Sequence, residues 1–341
     1  MVTRSWSPVE TRPATGGLFR GSPGKRRRAE LDTAAREKQS RTAPVAVTEP
    51  AAPTIHALQA GGTSPARWPA FAPSRYLGQL SDEFQHALAE ERVALTRADC
   101  RFYQSVELPG GEVIDGPWDL RGRELEYLGG VDLAGRRVLE LGPSTGALTY
   151  FMERAGAEVL AFDVGYDVSI DLYPAPGSAD TRKLRLDHAR STNQVQNSWW
   201  YLHRAFASSA RIAYGDFYAL PGDLGLHNVS VFAATLLHLR SPIAALEEAA
   251  RHTRDTIVVT EPWAFGRDSM LDNVMKLFPF GEAGRWTLWW AISAGAVVQM
   301  LDTMGFRDSR VIAHTSRHRF GHLTDAPYDD VDMYTVVANR S

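Results

Sequence analysis

The chain has 341 residues, 44% apolar and 23% charged, which excludes a fully disordered protein and leaves room for one large α/β domain or two smaller ones. Its formal charge of −3 hides a division, because residues 1–50 carry ten Lys and Arg against five Asp and Glu, leaving twenty-seven against thirty-five, a charge of −8, for residues 51–341. A single cysteine, Cys100, excludes an internal disulfide framework and a cysteine zinc site, and no apolar run suits a membrane span or a secretory leader, so a soluble cytoplasmic protein is expected.

Nine of the 19 prolines precede residue 75, among Gly, Ser, Thr and Ala, so residues 1–75 are expected to form a disordered Pro/Arg-rich tail whose basic run at Lys25-Arg26-Arg27-Arg28 is read as solvated. Leu80, Phe84, Leu88 and Val93 then recur at near-helical spacing and predict one amphipathic helix. Alternation at 101–106 and 112–115 around Pro109-Gly110-Gly111 predicts a β-hairpin, so residues 76–130 form a small helix and hairpin extension. From Arg136 the pattern becomes strands at 136–141, 158–163, 211–214, 229–234 and 256–261 alternating with helices at 146–155, 194–208, 242–253 and 294–304. Such alternation signals a mostly parallel sheet covered on both faces. Two last apolar runs, at 309–313 and 333–338, predict an antiparallel hairpin at the sheet's edge.

The strongest chemical signal is the run from Val138 to Leu148, a buried-type strand followed by Gly142-Pro143-Ser144-Thr145-Gly146 and a helix start. Gly142 permits a sharp turn after the strand, and Gly146 permits close approach of the backbone to a ligand. Asp163 ends the second strand, at the distance from Gly142 where a carboxylate accepts hydrogen bonds from a ribose diol. Together these features point to an adenosine-type ligand at the sheet's carboxyl edge. The spacing lacks the G-x-G-x-x-G of a dinucleotide site and the G-x-x-x-x-G-K-[ST] of a triphosphate loop, which excludes an NAD-dependent oxidoreductase of that kind.

The segment 136–263 resembles the class I S-adenosylmethionine-dependent methyltransferases, in its E-x-G-x-x-x-G loop, Asp163, Tyr214-Gly215-Asp216-Phe217 and His238-Leu239-Arg240-Ser241-Pro242. The resemblance implies a Rossmann-like seven-stranded, mostly parallel sheet with an antiparallel last strand, making 131–341 the methyltransferase domain. It implies S-adenosylmethionine as cofactor, with Glu140, Gly142, Pro143, Ser144 and Gly146 along its methionine half, Asp163 on the ribose, Asp216 on the adenine amino group and Phe217 against the ring. Asp216 is also the type of residue that ends a strand in a turn. Closer still is a similarity to the tRNA wobble-uridine carboxymethyltransferase branch, carried by 102–109, by Gly116-Pro117-Trp118-Asp119-Leu120-Arg121 and by 236–242. Trp118 joins the cofactor set on that ground. Two positions depart from the branch: Leu237 stands where it has tyrosine and Asp119 where it has lysine, although Arg121 lies near enough to supply a cation. Plain S-adenosylmethionine is therefore expected.

The acidic body carries the wrong sign for gripping RNA, so a small-molecule acceptor is favoured over tRNA. A non-catalytic protein that binds the cofactor would keep the same glycine loop. If the acceptor carries a proton, His238, after the fourth strand, is the candidate base, and Glu261, ending the fifth, is a second candidate for acceptor contact or, equally, a strand-end carboxylate capping a nearby helix. Trp199, Trp200 and Tyr201, with Trp286, Trp289 and Trp290, are candidates either for walling a pocket or for core packing. The long connections 165–193 and 263–285 are candidates for substrate-covering loops. His314, His318 and His322 lie in a loop-like region without carboxylates at ligand spacing, so no metal is expected.

Overall fold

The computed structural model describes residues 79–165, 171, 181–263, 271–277, 287–319 and 327–341. The tail expected at 1–75 lies outside these residues. The first element, α1 (Asp82–Glu91), starts at Ser81, whose hydroxyl accepts a hydrogen bond from the Phe84 N–H. The hairpin is shorter than the alternation predicts: only β1 (Val106–Glu107) and β2 (Val113–Ile114) pair. Gln104 leaves that ladder to bridge Trp118, which begins β3 (Trp118–Asp119), and α2 (Glu124–Tyr127) follows.

The body then alternates as expected: β4 (Arg137–Leu141), α3 (Ala147–Arg154), β5 (Glu158–Val164), α4 (Thr181–Ala205), β6 (Arg211–Gly215), β7 (His227–Ala233), α5 (Pro242–Arg251) and β8 (Thr253–Pro262). A short antiparallel pair, β9 (Met275–Leu277) and β10 (Trp290–Ile292), precedes α6 (Ala294–Thr303), β11 (Asp308–His318) and β12 (Asp329–Asn339). Helix α4 begins well before the predicted start at Gln194, because the sequence of its first turns is mostly polar and carries no apolar periodicity to read.

The main sheet runs β3-β11-β12-β8-β7-β4-β5-β6, with β8-β7-β4-β5-β6 parallel and β12 antiparallel to both its neighbours. This is the expected Rossmann-like α/β fold with two amendments. The sheet has eight strands, because β3 of the extension pairs with Arg317–His318 of β11. The last strand also lies inside the sheet, with β11 and β3 outside it. Alternation along the strands splits the core. Val138, Val159, Val231 and Val258 pack with Leu148 and Trp199 on one face, while Leu139, Leu160, Phe232 and Val259 pack with Leu246 and Leu301 on the other.

At the outer edge of β6 two glutamines stand in for a further strand. Gln79 donates to the Tyr214 carbonyl (3.2 Å) and accepts from the Tyr214 N–H (3.0 Å), and Gln85 does the same at Ile212 (2.8 and 3.2 Å). A side-chain amide reproduces the donor and acceptor of a peptide group, so side chains close this edge. Replacing both by alanine should lower the unfolding free energy by about 1–3 kcal/mol in urea titrations. Unchanged stability would show that water satisfies the edge equally well.

Candidate active site

The strand order reverses at β4: β5 and β6 continue on one side, β7 and β8 on the other. In open α/β sheets ligands bind in the crevice outside the carboxyl ends at such a point. Two loops meet there. Gly142 (φ 81°) and Ser144 (φ 55°) turn the chain after β4, and Ala234 (φ 54°) turns it after β7. Left-handed backbone at two non-glycine residues costs free energy, and its occurrence in both loops flanking the crevice marks a constrained site.

Thr235 locks the loops together. Its hydroxyl donates to the Leu141 carbonyl at 2.9 Å, and a Cβ at Gly142 would lie 2.8 Å from its Oγ1, so only glycine fits. Gly146 is also required by the protein's own packing: besides its φ of 90°, a Cβ there would meet Trp199 and Tyr150 at 2.7 Å. The residue makes room for the protein's own aromatic core. The N-terminus of α3 is also taken, because Gln104 Oε1 accepts from Thr145 Oγ1 at 2.7 Å and from the Ala147 N–H at 3.4 Å. A pyrophosphate would need those donors in a dinucleotide fold.

Two carboxylates face this loop region. Glu140 is buried, accepts from Thr149 Oγ1, and is pushed up to about 8 by burial, with the charge of Asp163 adding to the effect of removing it from water. Asp163, at the end of β5, is raised to about 6 by burial, against hydrogen bonds from the Val164 N–H (2.9 Å) and Gln196 Nε2 (3.1 Å) that favour its charged form. Asp216 begins a turn, its Oδ1 accepting from the Tyr218 N–H at 2.9 Å, which is the turn role its sequence context allowed. Phe217 is buried edge-on against Phe162, with ring centroids 5.6 Å apart, within the core.

On the other side of the crevice, Glu261 is 1% exposed and accepts the Leu236 N–H at 2.7 Å, and the neighbouring Leu237 and Thr235 N–H groups also favour its charged form. Its carboxyl is raised to about 8 by burial despite these donors. The carboxylate thus caps the turn Leu236–His238, the capping role that its strand-end position allows. His238 follows, with Nδ1 2.7 Å from the Thr287 carbonyl. A carbonyl only accepts, so Nδ1 carries the proton and Nε2 keeps its lone pair. Burial holds the imidazole below its ordinary range, against that hydrogen bond, and so favours the neutral ring.

Residues that sequence reasoning did not single out complete this wall. Asp171 accepts from Tyr218 Oη and the Arg240 N–H, pairs with the Arg240 guanidinium at 3.4 Å, and its carbonyl accepts from Trp289 Nε1 at 2.9 Å. The Trp289 N–H donates to the Leu237 carbonyl, and Trp290 Nε1 donates to that of Arg240. Trp289 and Trp290 thus stand beside the His238 turn, whereas Trp199 and Trp200 are buried core, stacked around His203 and Tyr150. Trp286 and His322 lie outside the described residues, as do 166–170, 172–180, 264–270 and 278–285 of the two long connections, and 181–193 of the first belong to α4.

The extension contributes Trp118, which is buried against the His318 ring at 4.4 Å. Asp119 is buried too. Burial alone would raise its carboxyl, but two hydrogen bonds from Arg121 (2.8 and 3.1 Å) and the charge of Arg317, 2.8 Å away, bring it below the ordinary range. Arg121 is therefore a partner of Asp119, not the spare cation its position in the sequence suggests. His314 hydrogen-bonds Thr335 Oγ1 at 2.9 Å and packs on Tyr127.

No family model matches the chain, and no curated protein sequence matches it. Among solved structures, the N-terminal domain of EvdMO1 with SAH bound is 19% identical over 76% of this chain and 96% of its own, with a TM-score of 0.41. The 1,6-didemethyltoxoflavin-N1-methyltransferase of Burkholderia thailandensis is 13% identical over 64% and 77%, with a TM-score of 0.41. The magnesium protoporphyrin IX methyltransferase of Synechocystis is 14% identical over 64% and 76%, at 0.38.

Glu140 supplies a stability test. Its folded-state value of about 8 lies above the ordinary 4.5, so the folded chain holds a proton that the unfolded chain has released, and that contribution is lost as pH rises from about 4.5 to 8. Glu140→Gln removes the titration. The stability of the variant relative to the parent should therefore rise across that window in denaturant titrations; a constant difference would show that Glu140 does not titrate there.

Proposed function

We propose that the protein is a class I methyltransferase that uses S-adenosylmethionine to methylate a small molecule at oxygen or nitrogen. The observation that carries this reading is the meeting of the glycine loop and the His238 turn across the reversal point of the sheet, through Thr235 and Gly142. The residues present fit that cofactor. Asp163 offers a carboxylate to a ribose diol, and buried Glu140 and Asp163 favour a cationic ligand, which would draw off their protons on binding. Glu140, Gly142, Pro143, Ser144 and Gly146 would line its amino-acid half. Asp216 would reach the adenine amino group only with a carboxylate already engaged in its turn, while Phe217 and Trp118 support the site from positions buried in the core.

When bound, the cofactor supplies a methyl group made electrophilic by its sulfonium sulfur. The protein's part is to hold an acceptor atom in line with that methyl, keep water away and receive a proton. His238 is suited to the last task, since Thr287 fixes its tautomer and orients the ring with Nε2 as the acceptor. Glu261 acts one step behind, holding the turn that carries His238. Trp289 and Trp290 extend an aromatic surface from the same turn, as expected for a planar or apolar acceptor.

A small molecule is favoured over tRNA by the acidic body and by the pairing of Arg121 with Asp119, which ties down the cation that a carboxylated cofactor would need. The test is incubation with methyl-labelled S-adenosylmethionine and, separately, the small-molecule and RNA fractions of a cell extract. Label is expected in the former; label confined to RNA would overturn the acceptor assignment, and label in neither would favour a non-catalytic protein. With the product in hand, His238→Ala should lower kcat by about 10²–10⁴-fold and remove the acid limb of the pH profile. An unchanged rate would remove His238 as the base.

A further inference from the structure

Gln196 lies on α4, 1% exposed, beside the end of β5. Its Nε2 donates to Asp163 Oδ2 at 3.1 Å and to the Val164 carbonyl at 2.9 Å, and Asp163 Oδ1 accepts from the Val164 N–H. Both carboxylate oxygens are thus held, one by the strand and one by the helix. The Gln196 carbonyl oxygen is buried with no hydrogen-bond partner among the described residues. An interior amide rarely leaves its acceptor unmade, because the group gives up its hydration without return. The side chain is therefore placed by its two donors, and what they organise is Asp163.

We infer that Gln196 is a positioning residue for nucleoside binding: it holds the Asp163 carboxylate in the orientation and ionised form that accept ribose hydroxyls, and makes that site depend on the docking of α4. A neutral amide suits this task better than Lys or Arg. Either cation would pair with Asp163, compete with the hydroxyls, and oppose a positively charged ligand. The inference rests on the reading of Asp163 as the ribose acceptor proposed above.

The groups that share Asp163's surroundings define the test. Glu140 on β4 is the titratable neighbour, raised by burial to about 8. On β6 the register partner is Tyr214, whose hydroxyl accepts from Trp200 Nε1 at 2.9 Å, and α4 contributes the uncharged Gln196. Affinity for S-adenosylhomocysteine should fall as pH drops through about 6, where Asp163 takes up its proton. Any dependence near pH 8 belongs to Glu140 or to Glu261 across the crevice, both raised to about that value by burial.

Calorimetric titration of S-adenosylhomocysteine into the full chain between pH 5 and 9 separates the outcomes. In Gln196→Leu, confirmed folded by thermal unfolding, affinity at pH 7 should fall about tenfold. The lower midpoint should move up by about one unit while any step near pH 8 stays in place. In Gln196→Glu two adjacent carboxylates share one proton, so binding should weaken as pH rises. A parent chain that binds no S-adenosylhomocysteine at any pH overturns the methyltransferase reading itself. A parent that binds, with variants that lose affinity equally at every pH and keep the midpoint, leaves that reading standing and overturns the role of Gln196.

Discussion

The candidate site depends on one buried carboxylate. Glu261 takes the Leu236 N–H, with those of Leu237 and Thr235 also favouring its charge, which fixes the turn after β7. Thr235, so fixed, closes on Gly142 and on the Leu141 carbonyl, and His238 is delivered at the end of the same turn. The glycine loop and the histidine turn are therefore one assembly held from a third strand, β8. Such a carboxylate is hard to replace. Removing it would orphan backbone N–H groups in the interior, which costs more than the loss of a single exposed hydrogen bond.

Much of this architecture is legible in the sequence because it follows from local rules. Alternation and buried-type runs locate β4 to β8, and the glycine turn at Gly142 follows directly after β4. What the sequence leaves hidden depends on contacts between distant segments. Nothing local separates Glu261 as a cap from Glu261 as an acceptor contact, since the N–H groups it serves lie in the turn after β7, with a whole helix between. The packing demand on Gly146 is hidden as well, because it comes from Trp199 on a different helix. Gln79, Gln85, Gln104 and Gln196 escape notice because glutamine is unremarkable in any pattern, yet each places an amide where a backbone or carboxylate partner is needed. The start of α4 escapes for the opposite reason: the sequence of those turns has no apolar stripe to betray a helix.

The charge division takes on a spatial meaning at the extension. Asp119 sits buried between Arg121 and Arg317, where β3 joins β11, so Arg317 ties the extension to the sheet while Arg121 pairs with Asp119 from within the extension. A cation paired in this way is poorly placed to recruit a carboxylated ligand or a phosphate backbone. The body's negative charge and this pairing are the two grounds on which a small-molecule acceptor is proposed over RNA.

The central claim is that the crevice at the reversal point of the sheet is a nucleoside site with Asp163 as its ribose acceptor. Calorimetry of S-adenosylmethionine and of NAD against the parent and Asp163→Ala tests it most directly. The account predicts one site for S-adenosylmethionine, weakened by about 1–3 kcal/mol in Asp163→Ala, and no binding of NAD. Binding of NAD in place of S-adenosylmethionine, or an affinity indifferent to the loss of Asp163, would contradict it.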